Sequence, residues 1–199
     1  SGESTEPIIN FGIQRSILVP LLVRTIGLNL GLNRAKEAYQ NKDSELSTLA
    51  CTIKPMLAWH TQDVVTKCRE LSGGEGFLVD NQFGEGFAAS QAGLTAEGDS
   101  KVLLMKTTSE LIRELDKQDM MKTKALSYLP KSVTSAFMSR EQVVLTDLAL
   151  ATQANGLGGH YDVWMDTHSQ LVQDAAIAYC DRIIYDEFNK YIDFPGVKE

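Results

Sequence analysis

Apolar residues recur three, four or seven positions apart along most of this chain, and strand-like alternation is almost absent. The first apolar stripe consists of Ile13, Ile17, Leu21, Leu28 and Leu32. Its spacing predicts one helix from about Phe11 to Tyr39 with a single apolar face. Helices of this length joined by short loops must bury their apolar faces against one another. The sequence therefore predicts an all-α fold, an antiparallel up-and-down four-helix bundle with an additional C-terminal helix.

Four further helices are predicted, over residues 43–71, 100–115, 139–155 and 163–191. Asp43 or Ser44 caps the first of these. Ser139 and Gln142 have the spacing of a capping box and mark the start of the third. Glycines at positions 156, 158 and 159 would end that helix.

Two prolines and two glycines lie inside the predicted helices. Pro20 and Pro55 are expected to bend the first and second helices. Gly27 and Gly31 lie one turn apart, so a neighbouring helix could pack closely there. The predicted organisation is a helical core over residues 1–121, a linker over 122–138, and further helices over 139–199 that complete the bundle or start a second helical domain.

Composition excludes several partners. A net charge of −7 without a long basic stripe argues against nucleic acid. Arg24 stops the apolar run Ile17–Val23 well short of the ~20 residues that a membrane span needs, so no span is predicted. Cys51, Cys68 and Cys180 form no CxxC pair and are predicted to be free core thiols.

Two motifs lie between residues 68 and 104. Gly73, Gly74 and Gly76 follow the second predicted helix, where glycine permits a positive φ and close approach of the backbone to a ligand. Glu97 and Gly98 come directly before the third helix. No P-loop is present, because no Gly-Lys-Ser/Thr follows the glycines. By themselves, the motifs are a helix stop and an acid stabilised by a helix dipole.

The order of these residues resembles the C-terminal helical domain of the acyl-CoA oxidases and acyl-CoA dehydrogenases. The matching residues are Trp59-His60, Cys68-Arg69-Glu70, Gly73-Gly74-x-Gly76-Phe77-Leu78, Asn81 and Glu97-Gly98-Asp99. Glu-Gly-Asp is the oxidase form of a motif that usually reads Glu-Gly-Thr in dehydrogenases. Glu6–Ile9 and Gln14 resemble the entry into the first helix of that domain.

The resemblance implies a flavoenzyme of fatty-acid β-oxidation, in which a carboxylate removes the α-proton of an acyl-CoA and the β-hydrogen leaves as hydride to FAD. Glu97 matches that base, and its backbone amide would polarise the thioester oxygen. Oxygen would then reoxidise the flavin, giving trans-2-enoyl-CoA and peroxide. The implied substrate-side residues are Ala96 and Gly98; the implied cofactor-side residues are Gly73, Gly74, Gly76, Gln14 and Asp99.

The resemblance also implies a homodimer with FAD at the subunit interface and a peroxisomal location. Residues 196–199 form no Ser-Lys-Leu type of peroxisomal address, so a cytoplasmic location is the alternative. Enzymes of this kind also need an N-terminal helical domain and a β-domain, which this chain lacks. We therefore expect the chain by itself to be inactive.

The chain also departs from the family pattern at four positions, so a divergent, inactive relative is an alternative interpretation. They are Ala96 in place of an aromatic residue, Phe87 and Ala89 in place of an arginine and an aspartate, and Met105 in place of a glutamine. A non-catalytic helical module for oligomerisation or binding is the competing class.

No metal site is predicted. A ferritin-like bundle needs Glu-x-x-His pairs, and no glutamate stands three residues before His60, His160 or His168. A Ser-His hydrolase is also unsupported, because the sequence has no GxSxG motif.

Overall fold

A computed structural model of the chain describes residues 6–117, 133–154 and 161–191. Within these ranges the regular structure is helical, with no strand. The longer helices are α1 Gly12–Asn41, α2 Leu46–Leu71, α3 Phe83–Thr95, α4 Ser100–Lys117, α5 Val133–Ala154 and α6 Ser169–Asn189. Short 3-10 segments cover Ile8–Asn10, Gly73–Phe77 and Val79–Asn81, and a π-helical turn covers Val163–Thr167.

Helices α1, α2, α4 and α6 form the bundle. Helices α1 and α4 each pack against α2 and α6, while α3 lies against α2 and α5 lies against α6. The predicted all-α four-helix bundle is therefore confirmed. Its members are the first three predicted helices and the last one, and α5 is the additional helix.

The core is made of small and medium apolar side chains contributed mainly by α1, α2 and α6. Two of its three clusters in the described residues are Leu28, Ile53, Met56 and Cys180, and Ala35, Ala38, Leu49, Tyr179 and Ile183; the third is Leu148, Val163, Trp164 and Val172. Between α2 and α4, the buried hydroxyls of Thr52 and Thr107 are hydrogen-bonded at 3.0 Å. Each hydroxyl also has a backbone carbonyl one turn earlier as a partner, Thr48 for Thr52 at 2.7 Å and Leu103 for Thr107 at 3.2 Å, so both buried polar groups are satisfied.

The three cysteines are free, as predicted. Cys180 is fully buried, and burial raises the pKa of its thiol to about 12. Cys51 and Cys68 are half-buried.

Gly27 and Gly31 are notches in α1, which confirms the predicted close helix packing. A Cβ on Gly27 would lie 2.6 Å from Cγ2 of Ile184, and one on Gly31 would lie 2.8 Å from Cδ1 of Ile53. The two isoleucines come from α6 and α2, so each notch receives a side chain from a different neighbour. Helices α1 and α2 are each assigned as one helix through Pro20 and Pro55.

The sequence prediction missed α3. Its segment contains Gly84, Gly86 and Gly93, which lower helix propensity and hide the helical period. Packing compensates, since a Cβ on Gly93 would meet Ala58 of α2 at an ordinary 3.5 Å. Tertiary contact with α2 therefore stabilises a helix that the local sequence does not favour.

The predicted start of the fourth helix, at residue 139, is wrong. Ser139 lies inside α5, which begins at Val133. Two residues before Ser139, Phe137 stacks on Tyr185 of α6 with ring centroids 4.9 Å apart. This contact stabilises an N-terminal extension of the helix beyond Ser139. Of the predicted linker 122–138, residues 122–132 lie outside the described ranges, as do Gly156, Gly158 and Gly159. The last α-helix begins at Ser169, after the π-helical turn, rather than at Val163.

Helix α1 is long and apolar enough to cross a membrane by length and composition, with a mean hydropathy of 1.4 in its most apolar window. Because this test uses length and composition alone, the absence of a membrane span stays a prediction. Core helices of soluble proteins pass the same test, and Leu28, Ala35 and Ala38 of this helix are buried in the bundle. The first half of α1 is different, because it exposes Ile13 and Leu22.

Candidate active site

The three motif glycines between α2 and α3 have three different roles. Gly73 has a φ of +57°, which disfavours any side chain. Gly76 is buried, and a Cβ there would lie 2.3 Å from the carbonyl oxygen of Arg69. Gly74 has neither constraint, since a Cβ there would meet nothing within 4 Å. Of the three positions, only Gly74 has both the conformation and the space to accept a side chain.

Gln14 lies beside this glycine segment. Its Nε2 donates to the carbonyl oxygen of Leu71, at the end of α2, over 3.2 Å. The two residues line an apolar cleft of about 320 Å³, whose other walls are Ile8, Ile9, Leu18, Cys68 and Ser72. The structure thus brings Gln14 to the residues directly before the glycine segment, and the resemblance implies that Gln14 and the glycines contact the same ligand.

The second motif is the turn between α3 and α4, formed by Ala96, Glu97, Gly98 and Asp99, which we call the Glu97 turn. Ala96 is extended, with φ −64° and ψ 147°. Glu97 is exposed and has a φ of +58°, while Gly98 has a φ of +103°. A left-handed conformation is uncommon for a residue with a Cβ, and such strain concentrates at functional sites.

Side chains on both flanks hold the Glu97 turn. The Oδ1 of Asp99 accepts hydrogen bonds from the amides of Lys101 and Val102 at 2.9 and 3.3 Å, which makes Asp99 the N-cap of α4. The hydroxyl of buried Ser100 donates to the carbonyl oxygen of Leu94 at 2.8 Å. The predicted start of this helix near Asp99 or Ser100 is confirmed.

A third contact reaches the Glu97 turn from another helix. The ammonium group of Lys54, in α2, donates to the carbonyl oxygen of Gly98 over 2.6 Å. Lys54 carries no functional signal in the sequence, because a lysine before a mid-helix proline has no recognisable functional pattern. Among the described residues, the backbone amide of Glu97 itself has no hydrogen-bond acceptor.

The glycine segment and the Glu97 turn lie at different positions along α2. Lys54 contacts the turn, whereas Leu71 precedes the glycines. At 1.5 Å per residue, these two points are roughly 25 Å apart along the helix axis. The two motifs therefore suit different parts of one extended ligand, or two ligands.

The residues that depart from the family pattern lie in two places. Phe87 and Ala89 are exposed on α3, and Ala96 is exposed in the Glu97 turn. Met105 is half-buried and packs against the cluster that joins α4, α5 and α6. Met105 therefore packs in the core, Ala96 belongs to the Glu97 turn, and Phe87 and Ala89 lie on the helix that precedes this turn.

His60 is a packed side chain. It is 6% exposed, and its Nε2 lies 2.8 Å from the hydroxyl oxygen of Thr25, which itself donates to the carbonyl oxygen of Leu21. Burial, followed by the nearby charge of Arg24, lowers the pKa of His60. Within the described ranges, no three His, Cys, Asp or Glu residues gather as metal ligands.

The bundle has the architecture of the C-terminal part of acyl-CoA oxidases. It matches the structure of Arabidopsis thaliana acyl-CoA oxidase 1 with a TM-score of 0.76 and 19% identity, covering 98% of this chain and 35% of that one. An acyl-CoA oxidase from tomato gives a TM-score of 0.77 and 21% identity, with 98% and 34% coverage. At these identities the likeness establishes the fold alone.

The sequence identifies the family. Residues 1–112 match the acyl-CoA oxidase C-alpha1 domain. Human peroxisomal acyl-coenzyme A oxidase 3 is 33% identical over 98 residues, which are 49% of this chain and 14% of that protein. The chain belongs to the acyl-CoA oxidase family, and it spans a small part of the length of these relatives.

Proposed function

We propose that the complete protein containing this chain is a flavin-dependent acyl-CoA oxidase, and that Glu97 is its α-proton-abstracting base. The observation that carries the proposal is the Glu97 turn, which presents an exposed carboxylate in a left-handed conformation within a family-matched segment. An acid that served only to cap α4 would not need this conformation, and Asp99 already performs that task.

The reaction converts an acyl-CoA and oxygen into a trans-2-enoyl-CoA and hydrogen peroxide. The Glu97 carboxylate would take the α-proton, acting as a general base. The Glu97 amide, which has no acceptor among the described residues, would donate to the thioester oxygen as charge develops there. When bound, FAD supplies the acceptor for the β-hydride and returns the electrons to oxygen.

The residues present fit a flavin cofactor at the glycine segment. Gly74 leaves open space where a side chain would stand, so a ligand phosphate could approach its backbone. Gln14 forms a wall of the adjoining cleft and carries an amide that can contact the cofactor. Gly73 and Gly76 would set the backbone conformation of the segment. The positive φ of Gly73 and the close approach of Gly76 to the carbonyl of Arg69 each account for a glycine at that position.

We also propose that FAD lies between two copies of the protein. Exposed apolar side chains surround the cofactor-side residues, including Phe77 at 80%, Val79 at 84% and Ile8 at 58% exposure. Contiguous exposed apolar surface marks a site that another protein surface covers. The rest of the pocket would come from domains outside this chain. A peroxisomal location is proposed from the name of the human relative.

Replacement of Glu97 by glutamine in the complete, FAD-loaded protein tests the proposed base. Exchange of the acyl-CoA α-proton with solvent and flavin reduction should each fall by about 10²–10⁴-fold, the usual contribution of a general base. Glu85→Gln is the matched control, because Glu85 is an exposed acid in the first turn of α3. Normal exchange in Glu97→Gln would refute the proposed base and favour a non-catalytic helical module.

A further inference from the structure

Lys54 is the only described residue of another helix whose side chain hydrogen-bonds the backbone of the Glu97 turn. The capping contact of Asp99 spans two or three residues and that of Ser100 spans six, whereas the contact from Lys54 to Gly98 spans 44. The local contacts close the ends of α3 and α4. Lys54 instead fixes the turn relative to α2.

This contact acts on the peptide between Gly98 and Asp99, one residue beyond the proposed base. The carbonyl oxygen of Gly98 accepts from a cationic donor at 2.6 Å, and hydrogen bonds with an ionised partner are stronger than neutral ones. Holding the carbonyl restricts rotation of the backbone on the C-terminal side of Glu97. Since Glu97 and Gly98 both have positive φ values, the turn needs such an external restraint to keep one conformation.

We propose that Lys54 is a positioning residue that fixes the direction of the Glu97 carboxylate for α-proton removal. This inference rests on the proposed function. Lys54 contacts the backbone of the turn rather than the reacting atoms, so its effect passes through the geometry of Glu97. A base displaced by about 1 Å can lose on the order of 100-fold in rate, even when the altered residue is remote from the chemistry.

The test uses the complete FAD-loaded protein carrying Lys54→Met, which keeps an unbranched stem and removes the ammonium donor. We expect kcat to fall by about 100-fold, with KM for the acyl-CoA changed by less than about threefold. The primary isotope effect with α-deuterated acyl-CoA should increase, because proton removal becomes more rate-limiting. A residue that served only stability would leave that isotope effect unchanged.

Two further variants complete the experiment. Lys54→Arg retains a cationic donor and should recover at least about tenfold of the lost rate. Lys67→Met is the control on the same helix, because Lys67 pairs with Glu70 away from the Glu97 turn; its kcat should be unchanged. If Lys54→Met loses FAD or unfolds, Lys54→Gln takes its place, with the same expected loss.

The outcomes separate the two proposals. Wild-type kcat and isotope effect in Lys54→Met, with Glu97→Gln inactive, would overturn the role of Lys54 and leave the proposed base intact. Wild-type activity in Glu97→Gln would overturn both. A rate loss in Lys54→Met that Lys54→Arg does not recover, with an unchanged isotope effect, would also overturn the positioning role.

Discussion

The glycine segment and the Glu97 turn are both irregular connections beside α2, but different forces shape them. In the glycine segment, backbone packs on backbone, and Gly76 lies against the carbonyl of Arg69. In the Glu97 turn, side chains hold the backbone from outside, through Asp99, Ser100 and Lys54. Adding a side chain that clashes with the backbone should therefore destabilise the glycine segment. Removing a side chain that holds the backbone should destabilise the Glu97 turn.

The largest expected effect is at Gly76. Alanine there would place a Cβ 2.3 Å from the carbonyl oxygen of Arg69, a rigid backbone atom, so the segment must shift. We expect Gly76→Ala to reduce the free energy of unfolding by about 3 kcal/mol. Denaturant unfolding of the chain measures this loss. Gly74→Ala, in open space, should change it by less than about 0.5 kcal/mol; equal losses would contradict the assigned difference between the two glycines.

Asp99 provides the next largest effect, on the side of the Glu97 turn. Its carboxylate caps two amides at the start of α4, so Asp99→Ala should cost about 1 kcal/mol of unfolding free energy. Asp99→Asn, which keeps an acceptor oxygen, should recover most of that stability. An Asp99→Ala protein as stable as the parent chain would show that the cap contributes nothing.

Removing the side chain of Glu97, unlike that of Asp99, should not lower the free energy of unfolding. Glycine relieves the left-handed strain at a φ of +58°, so Glu97→Gly should leave the unfolding free energy unchanged or raise it by up to about 1 kcal/mol. The same variant of the complete protein should lose α-proton removal. Thermal unfolding and proton exchange measure the two effects, and a clear loss of stability would show that the carboxylate supports the fold.

The smallest expected effect is a pH dependence from α2, which links the two regions. The pKa of His60 is lowered in the folded chain, chiefly by burial, so the unfolded chain binds a proton more readily. Stability should be full above the ordinary histidine value of about 6.5 and decline as the pH falls below it toward the folded value. Unfolding followed from pH 8 to pH 5 measures this slope. His60→Gln should make it shallower, and an unchanged slope would assign the pH dependence to other groups.

The sequence predicted the regular parts of the molecule better than its connections. The apolar stripes of α1, α2 and α4 are long, so their period survives the prolines in α1 and α2. Helix α3 was missed because its glycines obscure the pattern, and the start of α5 was missed because Phe137 is held by Tyr185 from another helix. Both errors arise where packing across the bundle overrides local preference.

In the candidate site too, residues with a local sequence signal were predicted, and a residue that acts through a contact between helices was not. The motif residues Glu97, Gly73 and Gly76 were found from their order in the chain, and their roles in catalysis and cofactor binding stay predictions. The resemblance assigned Asp99 to the cofactor side, and its capping contact at the start of α4 was found only in the structure. Lys54 could not be found, because its contact with Gly98 exists only once α2 and the Glu97 turn have met in three dimensions.

The notches at Gly27 and Gly31 set the axial register of the bundle. With Ile184 and Ile53 seated in them, α1 cannot slide along its neighbours without driving a side chain into a helix backbone. Gln14 stands at the far end of the same helix, roughly 20–25 Å from the notches at 1.5 Å per residue. The packing at Gly27 and Gly31 therefore fixes the position of Gln14 along the bundle. A shift of α1 at these glycines would move Gln14 relative to Leu71 and change the width of the cleft between them.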